Sequence, residues 1–189
     1  MRMCCAIAGL FFAVLCSCSP VPETGFALAS VTPTAARIDA GLAAVTVEPA
    51  SRDRAVYPLP RSLPPLLPLW QAALQDAVTR QGIFRPEAPR RVSIVVKVLE
   101  FSLSGKILSV FARYQLFADP AGNPVFSADI MSNAGLSSLA TGVTSLDDPA
   151  VATQNRTQVI RAIQDNITQF LDQLEAFARQ PRSAAPPRP

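Results

Sequence analysis

The chain has 189 residues, of which 49% are hydrophobic and 16% are charged, and it contains no histidine. The absence of histidine excludes a Ser-His-Asp triad, a Cys-His dyad, histidine-ligated zinc and a histidine general base. A formal net charge of +3 is too small to indicate nucleic acid as the partner.

The N-terminal segment has the pattern of a targeting signal. All the cysteines of the chain lie in it, namely Cys4, Cys5, Cys16 and Cys18. A disulfide framework or a metal site would distribute cysteines through the fold. Arg2 precedes an apolar run over residues 6–15, which is too short for a membrane-spanning helix of about 20 residues. The pattern therefore predicts the apolar region of a secretory signal.

The end of this segment, Leu15-Cys16-Ser17-Cys18, resembles the lipobox of bacterial lipoproteins, in which a leucine and two small residues precede an acylated cysteine. The resemblance implies cleavage before Cys18 and acyl chains on Cys18, which would hold the protein on a membrane. Cys16 is the poorer acceptor because bulky Leu15 would directly precede it. Ser19 implies, by the same resemblance, export to the outer membrane with the domain facing the periplasm. An ordinary cleaved signal peptide and an N-terminal membrane anchor are the alternatives.

The rest of the chain divides by composition into a spacer, one domain and a tail. We expect a signal peptide over residues 1–17, a flexible tether over 18–39 and a single domain over 40–179. Residues 180–189 contain four prolines and no apolar anchor, which predicts a disordered tail.

The first half of the predicted domain contains one strand and one helix. Residues 42–47 form a short apolar stretch that predicts a strand, and the proline-rich residues 51–68 predict an extended loop. A helix follows from Pro68 to Gln81 and ends at Gly82. Its apolar stripe is Leu67, Trp70, Leu74, Ala77 and Val78. Trp70 on this stripe is interpreted as a core residue rather than as a ligand-stacking residue.

Three strands are predicted next, joined by two turns. Residues 92–103 are β-branched and apolar, which favours a central strand, and residues 107–118 alternate between apolar and polar. Ser104-Gly105-Lys106 and residues 119–123 have turn composition. Residues 124–131 resume the alternation, so the three strands form an antiparallel meander with one face in water.

A long loop and a long helix complete the prediction. Residues 133–148 are small and polar, and they are equally compatible with a mobile lid and with a simple connection. Residues 149–179 have a continuous apolar stripe that predicts the longest helix, with Asp147 or Asp148 as its cap. The polar face of this helix carries amides and carboxylates, which favours packing on the sheet over binding at a membrane surface.

The resulting order, β-α-β-β-β-α, predicts a two-layer α+β domain in which two helices cover a mainly antiparallel sheet. Together with the lipobox, this order is similar to small envelope lipoproteins. The similar families are the auxiliary lipoproteins of ABC-type lipid transport and the outer-membrane lipoprotein that plugs the lipopolysaccharide translocon. The residues that carry the similarity are Ala112–Asp119, Gly122, Val125-Phe126, Arg161-Ala162-Ile163, Asn166-Ile167 and Phe170-Leu171. They mostly encode the fold, and no binding residue is transferred from either family.

The chain offers no assembled catalytic, cofactor or metal site. Its carboxylates are scattered, and the Gly-rich phosphate loop, the GxSxG elbow and the SxxK motif do not occur in the sequence. Glu100 is the one acid on the most apolar strand, where an edge position or pairing with Lys97 or Arg113 would account for it. We therefore expect no enzyme and no cofactor.

Two non-enzymatic functions remain. The first is an accessory or scaffold component of an envelope transport or assembly complex, which would expose an apolar patch above about 400 Å². The second is a carrier or sensor of a lipid or small apolar ligand, which would need a closed cavity of at least about 300 Å³ between helices and sheet. The scaffold is favoured, because both helical stripes are needed to cover the sheet.

Overall fold

The structure, a computed structural model, describes residues 26–51, 55, 59–118, 122–136 and 155–180. The described elements are β1 (Gly41–Pro49), α1 (Leu67–Gln81), β2 (Arg91–Ser104), β3 (Ile107–Ala118), β4 (Phe126–Gly135) and α2 (Arg156–Arg179). A single 3-10 turn, Pro64–Leu66, lies within the predicted loop and directly precedes α1. The α+β class is confirmed, with two helices in the described residues, and the order of the described elements matches apart from this added turn.

The sheet is mixed rather than mainly antiparallel. Its strands lie in the order β1-β2-β3-β4. β2, β3 and β4 pair in the antiparallel sense, as the predicted meander requires. β1 pairs with β2 in the parallel sense, which corrects the prediction for this strand. Two parallel neighbours need a long crossover between them, and the segment containing α1 provides it.

The bounds of α1 follow from its terminal residues. The helix has Pro68 in its first turn, where the missing N–H is not needed. It ends at Gly82, whose φ of 67° is the left-handed conformation that a residue without a Cβ adopts at little cost. Trp70 and Leu74 are fully buried. The predicted helix and the core interpretation of Trp70 are confirmed.

The hairpin between β2 and β3 turns at Gly105, which has a φ of 58°, with Ser104 opposite Ile107. Beyond the turn β3 alternates as predicted, because successive side chains of a strand point to opposite faces. The inward residues are all at most 1% exposed, namely Leu108, Val110, Ala112, Tyr114 and Leu116. They form the middle of the core.

The apolar stripe of α2 packs on this inner face of the sheet. Its buried side chains are Val159, Ala162, Ile163, Asn166, Ile167, Phe170, Leu171 and Leu174. In the described residues the helix begins at Arg156 rather than at 149, and β4 runs to Gly135 rather than ending at 131. The predicted caps Asp147 and Asp148 lie outside the described residues, as does most of the predicted loop over 133–148.

The structure corrects the predicted tether, because residues 26–39 belong to the domain. Phe26 is 1% exposed and Ile38 is 2% exposed. Arg80 Nη2 donates to the carbonyl of Leu28 over 2.9 Å. Thr34 Oγ1 donates to Glu175 Oε1 over 2.7 Å. These contacts join the segment to both helices. Residues 26–39 are small and polar on average, so the composition does not reveal that Phe26 and Ile38 are buried in the core.

Candidate docking surface

The face of the sheet that points away from the helices is here called the open face. Both helices pack on the opposite face, where their buried side chains join those of the strands in one core. On the open face, β3 and β4 place matched residues opposite each other, in the pairs Ser109–Asn133, Phe111–Met131, Arg113–Asp129 and Gln115–Ser127. Cross-strand pairs of this kind stabilise a sheet. They also present an ordered surface to solvent.

The best-defined polar contact of the open face joins Arg113 to Asp129. Arg113 Nε lies 2.6 Å from Asp129 Oδ1, and Arg113 Nη2 lies 2.7 Å from Asp129 Oδ2. The hydrogen bond from Arg113 lowers the pKa of Asp129 below its ordinary value. Both side chains are close to half exposed, at 45% and 43%. Solvent therefore screens the pair, which orients the surface more than it stabilises the fold.

Apolar side chains lie next to this ion pair. Met131 is 51% exposed, and it lies directly opposite half-buried Phe111. The pairing of β2 with β3 shifts register between Val98 and Glu100, so Leu99 is an additional residue on β2. A bulge of this kind redirects a side chain out of the normal alternation.

A groove of about 620 Å³ occupies part of the open face. Leu99 and Phe111 contribute apolar walls, and Lys97, Glu48 and Arg113 contribute charged ones. Lys97 forms an ion pair with Glu48, so the cations of the groove already have partners. An apolar centre with a rim of paired charges is typical of protein–protein contacts.

The described spaces between the helices and the sheet are smaller. One, lined by Phe26, Phe101 and Val159, measures about 60 Å³. Another, lined by Val92, Leu116 and Phe177, measures about 150 Å³. Ligand pockets usually measure about 300 Å³ or more. These two spaces do not favour the predicted pocket for a lipid.

A second groove of about 600 Å³ lies at the C-terminal end of α1, where Arg37, Arg85 and Arg91 line it together with Glu87. Arg37 donates to the carbonyls of Thr34 and Ala36. Arg85 lies 3.4 Å from the carboxylate of Asp39. These arginines are thus largely engaged with the chain itself.

The core contains a closed polar network that the sequence analysis did not identify. Asn166 is fully buried and accepts a hydrogen bond from the hydroxyl of Tyr114. Its amide nitrogen lies 3.2 Å from Ser132 Oγ, and that hydroxyl donates to the carbonyl of Ala162. The signal in the sequence was the position of Asn166 on the apolar stripe of the last helix. The network connects α2 to β3 and β4 and has no exposed member.

The residues singled out in the sequence are not brought together. Cys18 lies outside the described residues. Glu100 is 8% exposed on β2, which is not an edge strand, and it accepts a hydrogen bond of 2.5 Å from Ser102 Oγ. Lys97 and Arg113 pair with other acids, so both simple explanations of Glu100 were wrong.

In the described part of the chain, no group of three or more Cys, Asp or Glu side chains could hold a metal ion. None of the described helices combines the length and the apolar composition needed to cross a bilayer.

Comparison with known proteins identifies a fold but no family. No protein-family model matches the chain, and no curated protein matches its sequence significantly. Protein XCC0632 from Xanthomonas campestris, described as DUF330, has a similar structure, with a TM-score of 0.51 and 13% sequence identity. The match covers 79% of this chain and 93% of the Xanthomonas chain.

Weaker structural matches include two chains described as lipoproteins. A candidate lipoprotein from Caulobacter crescentus matches with a TM-score of 0.44 and 14% identity, over 72% of this chain and 92% of its own. A minor lipoprotein from Acinetobacter baumannii matches with a TM-score of 0.36 and 18% identity, over 72% of this chain and 96% of its own. Of these three matches, the one with a TM-score above 0.5 identifies a shared fold, so the chain has the fold of the DUF330 protein from Xanthomonas campestris.

Proposed function

We propose that this protein is a non-enzymatic lipoprotein, anchored by acyl chains on Cys18 to the periplasmic face of the outer membrane. It acts there as an accessory or scaffold component of an envelope transport or assembly complex. The lipobox-like Leu15-Cys16-Ser17-Cys18 supports the anchor. Two or three acyl chains, at about 0.8 kcal/mol per buried CH₂, would make the attachment effectively permanent.

The observation that carries the scaffold function is the exposed apolar centre of the open face. Met131 and Phe111 lie opposite each other there, beside the ion pair of Arg113 and Asp129. A partner protein with apolar side chains would cover Met131, and its polar groups would meet the fixed charges. Exposed apolar patches with polar rims mark interaction sites.

The test places a photo-crosslinking amino acid at Met131 in cells, with Gln173 on the exposed side of α2 as the matched control. We expect one envelope transport or assembly protein to be captured at position 131 and not at 173. The variant Met131→Glu, with the crosslinker moved to Asn133, should lose that product.

Capture of the same proteins at both positions would contradict docking through the open face. Recovery of a monomer that carries only lipid would contradict the scaffold function and favour the carrier. Purified protein should be checked for lipid by mass spectrometry in the same experiment.

A further inference from the structure

We infer that the end of the domain formed by the start of α2 and the β2–β3 turn faces the membrane and binds anionic phospholipid. This inference rests on the proposed anchor at Cys18. It concerns a different surface from the open-face centre at Met131.

The length of chain between the anchor and the domain limits where the domain lies. Phe26 is 1% exposed and packs beside Phe101 and Val159, so the chain is fixed to the core from that residue onward. Eight residue steps separate Cys18 from Phe26, and a fully extended chain spans about 3.3–3.6 Å per residue. Because Cys18 is held at the membrane, Phe26 lies within about 30 Å of the lipid headgroups.

Several chain segments meet at the end marked by Phe26. Ser132 on β4 contacts Ala162 on α2. Phe126 at the start of β4 lies beside Phe170, later in α2, so the helix and the strand run antiparallel. From the Ser132–Ala162 contact, β4 therefore extends forward by roughly 13 Å to residue 136, and α2 extends back by roughly 9 Å to Arg156, both toward the same end. The amide of Leu136 donates to the carbonyl of Lys106 in the β2–β3 turn. Arg156 and Lys106 thus lie at the same end as Phe26.

This end carries positive charge beside an exposed apolar side chain. Lys106, Arg156 and Arg161 are exposed, and Ile107, next to Lys106, is 53% exposed. Of the described acids nearby, Glu100 is buried and accepts a hydrogen bond from Ser102, and Asp165 is exposed one helical turn beyond Arg161, so the cations outnumber the exposed acid. Cationic side chains are attracted to the headgroups of an anionic bilayer, and an apolar side chain beside them can enter the headgroup region.

Charge by itself does not show which end faces the membrane, because Arg85 and Arg90 are exposed near the opposite end of the sheet. The short connection between Cys18 and Phe26 distinguishes the two ends. Phe26 lies beside Phe101, which is ten residue steps from Arg91 at the opposite end of β2, so roughly 33 Å of strand separates Phe26 from that end. A domain tethered at Phe26 with the opposite end on the bilayer would require a longer connection than residues 18–25 provide.

The test uses the full lipidated chain in vesicles that contain a spin-labelled lipid. Ile107 or Val125 is replaced by cysteine and labelled with an environment-sensitive fluorophore. Both are exposed apolar residues, at 53% and 41%, and Val125 lies beside Phe177 at the far end. The signal-peptide cysteines are removed on cleavage and the thiol of Cys18 is acylated, so the introduced cysteine is the labelling site.

We expect quenching at position 107, and not at 125, in vesicles that contain phosphatidylglycerol, with little quenching in pure phosphatidylcholine. The double variant Lys106→Glu with Arg156→Glu should lower the ratio of protein with position 107 at the membrane to protein with it away from the membrane. The decrease should be at least about fivefold for each cation replaced. The matched double variant Arg85→Glu with Arg90→Glu should leave it unchanged. Circular dichroism verifies that each variant is folded.

Equal quenching at 107 and 125, no quenching at 107, or equal effects of the two double variants would each overturn the inference. So would quenching that does not depend on phosphatidylglycerol. Failure of the proposed anchor has a separate signature, because protein without acyl chains would be washed from the vesicles before any quenching is measured.

Discussion

The hydroxyl of Tyr114 on β3 donates a hydrogen bond of 2.8 Å to Oδ1 of Asn166 on α2, and both side chains are fully buried. The ring of Tyr114 also stacks on Phe170, with centroids 4.4 Å apart. The amide of Asn166 donates to the carbonyls of Val110 and Ile130 on neighbouring strands. Asn166 thus joins α2 to both β3 and β4 in the antiparallel part of the sheet.

Replacing Asn166 by alanine should lower the free energy of unfolding by about 2–4 kcal/mol, because the hydroxyl of Tyr114 loses its partner in the core. Urea denaturation measures this change. In the double variant Tyr114→Phe with Asn166→Ala, the loss should be smaller than the sum of the two single losses. Additive losses would show that the two side chains are not coupled.

Tyr114 should ionise only when the domain unfolds. Burial raises the pKa of Tyr114 above its ordinary value. The stability that depends on its protonated form is fully present below about pH 10 and decreases as the pH rises beyond it. In a Tyr57→Phe background, the tyrosinate absorbance should therefore appear together with the loss of circular dichroism. Ionisation of Tyr114 with the secondary structure intact would contradict this prediction.

Removing the guanidinium of Arg113 should raise the pKa of Asp129. The hydrogen bond from Arg113 lowers that pKa in the native protein. The stability that the ion pair contributes to the fold is therefore present above about pH 4 and decreases at lower pH. In Arg113→Met, NMR titration of the Asp129 carboxyl should show a higher pKa than in the native protein, because burial, which remains, raises it. The free energy of unfolding should change by less than about 1 kcal/mol, because the ion pair is exposed to solvent. An unchanged carboxyl titration would exclude Arg113 as the cause.

Phe26→Ala should destabilise the domain by about 3 kcal/mol, since it removes a side chain that is 1% exposed. The half-buried Val31 in the same segment provides the control, and Val31→Ala should cost about 1 kcal/mol or less. Thermal unfolding compares the two variants. If Phe26→Ala were neutral, residues 26–39 would be a tether after all, and the reach from Cys18 would have to be recalculated.

Cys18→Ser should abolish metabolic labelling with a fatty acid and leave the precursor unprocessed, because the acylated cysteine is required for cleavage in lipoproteins. Cys16→Ser should leave labelling and processing intact. If Cys16→Ser has the effect expected of Cys18→Ser, the acceptor lies two residues earlier. The chain from anchor to domain would then be longer by the same two residues.

The sequence was sufficient to predict the features that depend on neighbouring residues, such as the ends of helices and the inward side of a strand. Gly82 ended α1 as expected, and alternation along β3 identified the inward side chains, because helix caps and strand periodicity depend on residues close in sequence. The pairing of β1 depends on residues far away along the chain. The helical segment between β1 and β2 is long enough for the crossover that a parallel pair needs.

What the sequence determined by itself was the α+β class, the antiparallel meander and the core stripes of both helices, since these follow from apolar periodicity. The tertiary structure decided the parallel edge strand, the attachment of residues 26–39 and the burial of Asn166. Small and polar residues do not reveal their partners in a sequence, because their placement depends on hydrogen bonds to segments far along the chain. The open face likewise became visible only when both helices were seen to pack on one side of the sheet.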